Sequence, residues 1–161
     1  MPPSMLWSWI DSREISMAIG GGWLFPLFES VHVLAVAIFL GSILMLDLRM
    51  MEFVGKSQPI RQMLQELTPW SWGAFLASMF TGIGMFVTQS SMYVENPAFL
   101  VKMALLLLAG INMAAFHRWL MPSTLPSNTP RQMPIAVRGA GAVSFLLWLA
   151  ITLSGRWIGQ L

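Results

Sequence analysis

The sequence predicts an all-α integral membrane protein, a four-helix bundle preceded by an interfacial amphipathic helix. Of the 161 residues, 56% are hydrophobic and only 10% are charged, whereas an average soluble domain carries roughly 25% charged residues. The apolar residues fall into four runs, at about 26–48, 70–90, 97–121 and 136–158. About 20 mostly apolar residues are enough to cross a hydrocarbon core roughly 30 Å thick. We therefore predict four membrane spans in one domain, residues 1–161.

Residues 1–22 predict a segment that lies on the membrane surface. Two tryptophans, Trp7 and Trp9, come early and three charged residues follow, a mixture typical of interfacial helices. A cleavable signal peptide is not predicted, because no Lys or Arg precedes the apolar residues and no long apolar stretch follows. Three consecutive glycines at 20–22 supply the bend into the first span.

Prolines mark the predicted helix starts. Pro26 and Pro97 suit the first turn of a helix, where the missing N–H removes no hydrogen bond, and Asn96 is a good N-cap. The "TPW" at 68–70 marks the start of the second span. A proline-rich stretch at 121–134 separates the third span from the fourth.

Basic residues predict the orientation in the membrane. The first-to-second and third-to-fourth connections, with their adjoining helix ends, hold six Lys and Arg residues against three on the other side. The positive-inside rule then places both termini outside the cytoplasm, on the periplasmic side of a bacterial inner membrane. A net charge of only +2 argues against nucleic acid as a partner, so the expected surroundings are the lipid bilayer.

Three ionisable residues are predicted to lie at one depth near the outer ends of the first and third spans. Glu29, His32 and Lys102 lie three, six and five residues beyond Pro26 or Pro97, and each residue adds about 1.5 Å along a helix. Glu29 and His32 also share a helix face, at i and i+3. An unpaired charge at the centre of a span costs roughly 2.5–3.5 kcal/mol. We therefore expect an ionic cluster that satisfies all three.

This outer cluster predicts a redox or proton-relay site. His32 is a candidate haem b ligand or proton carrier, and Glu29 would tune the imidazole. Lys102 would meet a propionate or a substrate carboxylate, so Glu29 and Lys102 are the candidate catalytic residues. Arg156, near the same layer on the fourth span, is a candidate cofactor-binding residue that reaches Glu29 or extends outward to the interface. The alternative interpretation is a structural ion pair beside a hydrogen-bonded histidine.

His117 is the other histidine of the chain and a second candidate metal and cofactor ligand. It lies at the end of the third span, about 20 Å from His32 along the axis at 1.5 Å per residue. Two histidines so far apart cannot ligate one haem iron within a monomer, so a bis-histidine haem would need another register or a second subunit. A polar helix-end residue is the alternative interpretation.

Other polar and small residues predict packing features. Asp47 and Arg49 are expected to form an inner interfacial charge cluster with Arg118, which Arg138 could join. Asn112, midway between the two layers, needs an interhelical hydrogen-bond partner. The small residues of "FTGIGMF" and "RGAGAVS" favour close helix packing over a nucleotide-binding loop.

Three stretches carry a resemblance to known families: "ESVHVLAVAIFLGSILMLDLR", "TGIGMF" and "NPAFLVKMALLLLAGINMAAFHR". They resemble a family of uncharacterised small bacterial membrane proteins with four spans. More distantly, they resemble the HemJ-type protoporphyrinogen oxidases and the membrane domain of CopD copper-resistance proteins. The matching positions are His32, Gly41, Arg49 and Lys102. Phe39 stands near where those relatives usually have Trp, and the spacing from histidine to arginine differs by one residue.

The resemblance implies a haem- or porphyrin-linked redox role centred on His32 and Lys102. We therefore expect an inner-membrane b-type haem or porphyrin protein for redox or electron transfer, with a haem-dependent oxidoreductase as its enzymatic form and a quinone or another redox partner. Two alternatives stay open. One is a proton-coupled transporter of a small solute, for which four spans would require a homo-oligomer. The other is a structural subunit of a larger membrane complex.

Overall fold

The computed structural model describes residues 3–55, 60–120 and 133–160, which fold into seven α-helices and one π-helical turn. The helices are α1 (Pro3–Asp11), α2 (Glu14–Gly20), α3 (Leu24–Met50), α4 (Ile60–Thr88), α5 (Ser90–Glu95), α6 (Pro97–Ala115) and α7 (Ile135–Trp157). The π-helical turn Phe116–Leu120 continues α6. The all-α class predicted from the sequence is confirmed.

Four helices are long and apolar enough to cross a membrane: α3, α4, α6 with its π-helical turn, and α7. They confirm the four predicted spans. Five tryptophans on the spans or beside their ends are at least half exposed, as an aromatic belt requires; they are Trp23, Trp70, Trp72, Trp119 and Trp157. The N-terminal segment forms two short helices, α1 and α2, which pack against the bundle at α4 and α5.

The spanning helices pack in the order α4, α3, α7, α6. Along their described lengths α4 and α6 make no close backbone approach, and side chains join them at both ends. At the end that carries α1, α2 and α5, called here the terminal end, the Phe86 and Phe99 rings stack with centroids 5.5 Å apart. At the opposite end, called here the loop end, Ile60 and Phe116 belong to one buried apolar cluster.

The start of α4 differs from the sequence prediction. The helix begins at Ile60 and contains Pro69 in its interior, so the prediction that "TPW" begins a helix was wrong. Proline removes one hydrogen bond and bends a helix, but good helix formers precede it, and Gln62 donates to Glu66 at 2.9 Å one turn along. The 29 residues of α4 span about 43 Å at 1.5 Å each. This length exceeds the thickness of the hydrocarbon core of a bilayer, roughly 30 Å, so the polar first turns of α4 extend beyond it.

Asn96 confirms the predicted N-cap of α6. Its Oδ1 accepts from the backbone N–H groups of Ala98 at 2.9 Å and Phe99 at 3.3 Å. Its Nδ2 donates to the carbonyl oxygen of Ile158 at 3.0 Å. Because Asn96 is buried, one side chain both caps α6 and ties it to the end of α7.

Glu52 joins the end of α3 to the start of α7. It has a left-handed backbone, with φ 63°, and the N–H of Phe53 donates to the carbonyl of Leu48 at 2.9 Å, which together close the helix in a Schellman motif. The carboxylate of Glu52 accepts from the N–H of Met133 at 2.7 Å and lies 3.7 Å from the Arg138 guanidinium. A residue strained in the left-handed region thus gains two partners, Met133 just before α7 and Arg138 within it.

Asp11 attaches the N-terminal segment to the bundle. Its carboxylate accepts from the backbone N–H groups of Ser90 at 2.7 Å and Ser91 at 3.2 Å, and from both serine hydroxyls. Burial alone raises the pKa of Asp11, but these hydrogen bonds outweigh that effect and hold the pKa below its ordinary value. Asp11 of α1 is therefore an ionised anchor at the start of α5.

Candidate functional site around His32

His32 hydrogen-bonds to α4 rather than to a carboxylate. Its Nδ1 lies 3.0 Å from Thr81 Oγ1. The Thr81 hydroxyl donates its own hydrogen to the backbone carbonyl of Ala77, at 2.8 Å, so its oxygen is left to accept. The hydrogen-bond network therefore assigns the proton to Nδ1, and Nε2 carries the lone pair.

The contact between His32 and α4 depends on Gly82. A Cβ at this position would lie 3.2 Å from His32 Cε1, which is tighter than ordinary van der Waals contact, and 3.6 Å from Nδ1. Two residues on, a Cβ at Gly84 would lie 2.3 Å from the Phe28 ring. The small residues of "TGIGMF" thus let α3 side chains pack against the α4 backbone, which confirms the predicted packing role.

Lys102 lies inside the bundle beside α7. Its Nζ would be 3.4 Å from a Cβ at Gly155, so the side chain runs across a position where α7 has no side chain of its own. Its charge acts on the His32 ring. Within the described residues Lys102 has no ion-pair partner. The sequence prediction that Lys102 and His32 share one layer agrees with this geometry.

Glu29 faces the short helix α5 and is exposed. Burial and the Glu29 carboxylate together raise the pKa of the Tyr93 hydroxyl, which shows that the two side chains are close. Among the described residues Glu29 forms no ion pair with Lys102 or Arg156. The expected three-membered ionic cluster is therefore not formed: His32 bonds to Thr81, and Glu29 lies towards Tyr93.

Aromatic rings close the terminal end above this site. Phe86 of α4 lies between three neighbours, with ring centroids 5.5 Å from Phe99, 5.9 Å from Trp7 and 6.1 Å from Tyr93. Tyr93 and Phe99 are themselves 5.5 Å apart. These four rings come from α1, α4, α5 and α6, so they join these helices at the terminal end.

The other sequence-predicted site residues lie apart from His32. His117 is exposed in the π-helical turn at the loop end, and its Nδ1 hydrogen-bonds to the carbonyl of Met113 at 3.0 Å. Arg156 is exposed near the end of α7, next to Gly155. No group of three or more His, Asp or Glu side chains that could hold a metal ion occurs in the described ranges. The ligand roles of His117 and Arg156 stay predictions.

The expected inner charge cluster has a different composition. Arg138 pairs with Glu52 at 3.7 Å, and Arg118 is exposed, whereas Asp47 is buried beside the Ser144 hydroxyl of α7. Asn112 does have the interhelical partner that was predicted, since its Nδ2 donates to the Ala140 carbonyl at 3.3 Å.

Thr81 is the site residue that the sequence reasoning missed. It is buried in a span where threonine usually bonds only to its own helix, and nothing in the local sequence names its partner on α3. The available signal was the adjacent "TGIG", which predicted close packing of α4 but not which side chain would enter the contact.

The fold and the interior site define an all-α, multi-pass membrane protein with a histidine and a lysine inside the bundle. A family model described as a family of unknown function, DUF6644, matches residues 12–161, so the chain belongs to that family. No curated protein and no solved structure matches the chain. Membership of an uncharacterised family is thereby confirmed, and the likeness to HemJ-type oxidases and the CopD membrane domain stays a prediction.

Proposed function

We propose that this chain is a b-type haem- or porphyrin-binding redox protein of the bacterial inner membrane, with periplasmic termini, in which His32 would hold the haem iron. The hydrogen bond from His32 Nδ1 to Thr81 Oγ1 carries the proposal. A histidine that ligates a metal through one ring nitrogen almost always donates a hydrogen bond from the other, which fixes its tautomer and orientation. His32 has this arrangement, with Nε2 left as the ligating atom.

The surroundings of Lys102 support a ligand that carries a negatively charged group. A half-buried ammonium inside a span is stabilised by a negative partner, and the described residues supply none. A carboxylate such as a haem propionate would provide one, at the depth where the Lys102 charge acts on His32. The short motif resemblance to HemJ-type and CopD proteins adds weight to this proposal.

The residues present fit haem with one histidine, His32, that would hold the iron. His32 would hold the iron through Nε2, whereas His117 lies at the other end of the bundle, so a bis-histidine arrangement would take its second ligand from another subunit. Haem iron, when bound, supplies one-electron transfer. The chain's own contribution is to orient the imidazole and to hold a carboxylate at Lys102.

The test is the absorption spectrum of protein purified in mild detergent, before and after haem reconstitution. The proposal predicts a Soret band that His32→Ala removes, while His117→Ala in the same preparation retains it. A wild-type protein without a Soret band after reconstitution would count decisively against the proposal.

A second candidate, a proton-coupled transporter of a small anionic solute, is favoured by the same unpaired Lys102. In that case the ammonium would bind the solute and Glu29, exposed near Tyr93, would exchange the proton. Uptake into proteoliposomes that Glu29→Gln abolishes and haem depletion leaves unchanged would support transport over redox chemistry.

A further inference from the structure

Asp47 is a buried acid that the proposed haem site does not use. It lies near the loop end of α3 and is only 2% exposed. Its Oδ2 has no hydrogen-bond partner among the described residues. The neighbouring helix α7 presents Gly141 and Ser144 here: a Cβ at Gly141 would lie 3.1 Å from the Asp47 carbonyl oxygen, and the Ser144 hydroxyl interacts with the carboxyl group.

Within the described residues, no arginine at this end forms an ion pair with Asp47. Arg138 of α7 pairs with Glu52, and Arg118 of the π-helical turn is exposed, as is Arg61 of α4. Arg49, on the same helix as Asp47, runs past Gly55, with Cδ 3.3 Å from a Cβ at that glycine. An ionised Asp47 would therefore bury an oxygen that no donor among the described residues reaches.

A carboxylate in this position has two ways to avoid an unsatisfied charge. It can bind a metal cation, or it can bind a proton and become a neutral acid. A metal ion needs several ligands, and the described residues form no His, Asp or Glu group that could supply them. A proton needs only one oxygen, and the unpartnered Oδ2 provides it.

We propose that Asp47 is a proton-binding site, which holds a proton on Oδ2 at neutral pH. Proton release leaves the carboxylate and one H⁺, and no other bond changes. The neutral acid lies beside the Ser144 hydroxyl of α7 and leaves no unpaired charge. This site lies at the loop end, away from His32, and does not depend on haem binding.

The chain allows a clean spectroscopic test, because it contains only two aspartates, Asp11 and Asp47. Infrared spectra of the full chain in lipid nanodiscs at neutral pH would be compared with and without ¹³C in the aspartate side-chain carboxyl. We expect a carbonyl band of a protonated carboxylic acid that moves to lower frequency with the label. Asp47→Asn should remove this band, and Asp11→Asn should leave it in place.

Two results would overturn the proposal. One is a wild-type spectrum with no label-sensitive band of a protonated acid, since Asp47 would then be ionised. The other is loss of the band in Asp11→Asn, which would assign it to the wrong residue. If Asp47→Asn does not fold, the labelled wild type and Asp11→Asn still decide the question.

Discussion

The imidazole of His32 and the hydroxyl of Thr81 form a hydrogen bond of 3.0 Å between α3 and α4, directly beside Gly82. Because the Thr81 hydroxyl donates to its own helix, its oxygen accepts from His32, and the tautomer of the imidazole is fixed. Thr81, a residue on another helix, therefore determines whether Nε2 of His32 has a lone pair for binding a ligand.

Thr81→Val tests this control of the imidazole. Valine has nearly the shape of threonine but cannot accept the hydrogen bond, so the ring loses its fixed tautomer and orientation. Loss of such a supporting contact typically weakens metal binding about 10- to 100-fold. Titration of apoprotein with haem should show this weakening, whereas Thr152→Val, at an exposed threonine that bonds only to its own helix, should bind like wild type. Equal affinities in all three proteins would show that Thr81 does not position the ligand.

Gly82→Ala should displace His32 without introducing a polar change. The added Cβ would lie 3.2 Å from His32 Cε1, so the imidazole has to shift, which disturbs its hydrogen bond to Thr81. We expect weaker haem binding with an unchanged helical circular dichroism spectrum. The matched control is Gly73→Ala in the same helix, because a Cβ there would have no neighbour within 4 Å. An unaltered haem titration for Gly82→Ala would contradict the described packing.

Lys102→Met should separate recognition of a carboxylate from recognition of the porphyrin ring. Methionine keeps much of the length and apolar volume but removes the charge, and a hydrogen bond to a charged group is worth roughly 1.5–3 kcal/mol. Affinity for haem should fall about tenfold or more, in keeping with that free energy, while affinity for haem dimethyl ester should be nearly unchanged. An equal loss for both ligands would mean that Lys102 supports the fold rather than a propionate.

Asp11 should make the N-terminal segment sensitive to acid. Its folded-state pKa is lowered, so its contribution to stability is fully present above the pKa of an unfolded aspartate, near 4. That contribution is lost as the pH falls further, through the folded-state pKa. Asp11→Asn should lower the thermal stability at neutral pH, by about 1 kcal/mol for a lost helix cap, and should flatten the decline below about pH 4.

The control for this prediction is Glu14→Gln, which changes an exposed carboxylate at the start of α2. Thermal unfolding followed by circular dichroism from neutral pH to about pH 3 measures all three proteins. If the thermal stability of the wild type and of Asp11→Asn fell equally with decreasing pH, Asp11 would not be the cause of the acid sensitivity.

The apolar runs were sufficient to predict the four spans, because their lengths follow from the thickness of the bilayer. The start of α4 could not be predicted in this way. Residues 60–69 are too polar to belong to a span, and a proline suggested a boundary there, yet the helix continues through Pro69 in the segment before the membrane. Periodicity and composition predict which residues lie in lipid, but they do not predict how far a helix continues into water.

Helix rise was enough to predict the depth of the site residues along the bundle, but not which side chains they contact. Glu29, His32 and Lys102 were expected in one layer from helix rise alone, and the charge of Lys102 does act on His32. Which neighbour each side chain meets depends on the rotation of the helices and on their packing order, α4, α3, α7, α6. That order places Thr81 beside His32, and a single sequence contains no signal for it.

The most direct test of the central claim is rescue of a His32→Gly variant with free imidazole. If His32 Nε2 ligates haem iron, the variant reconstituted with haem should lack the wild-type Soret band, and millimolar imidazole should restore it by occupying the space of the missing side chain. A His32→Gly protein whose spectrum matches wild type without imidazole would contradict the account.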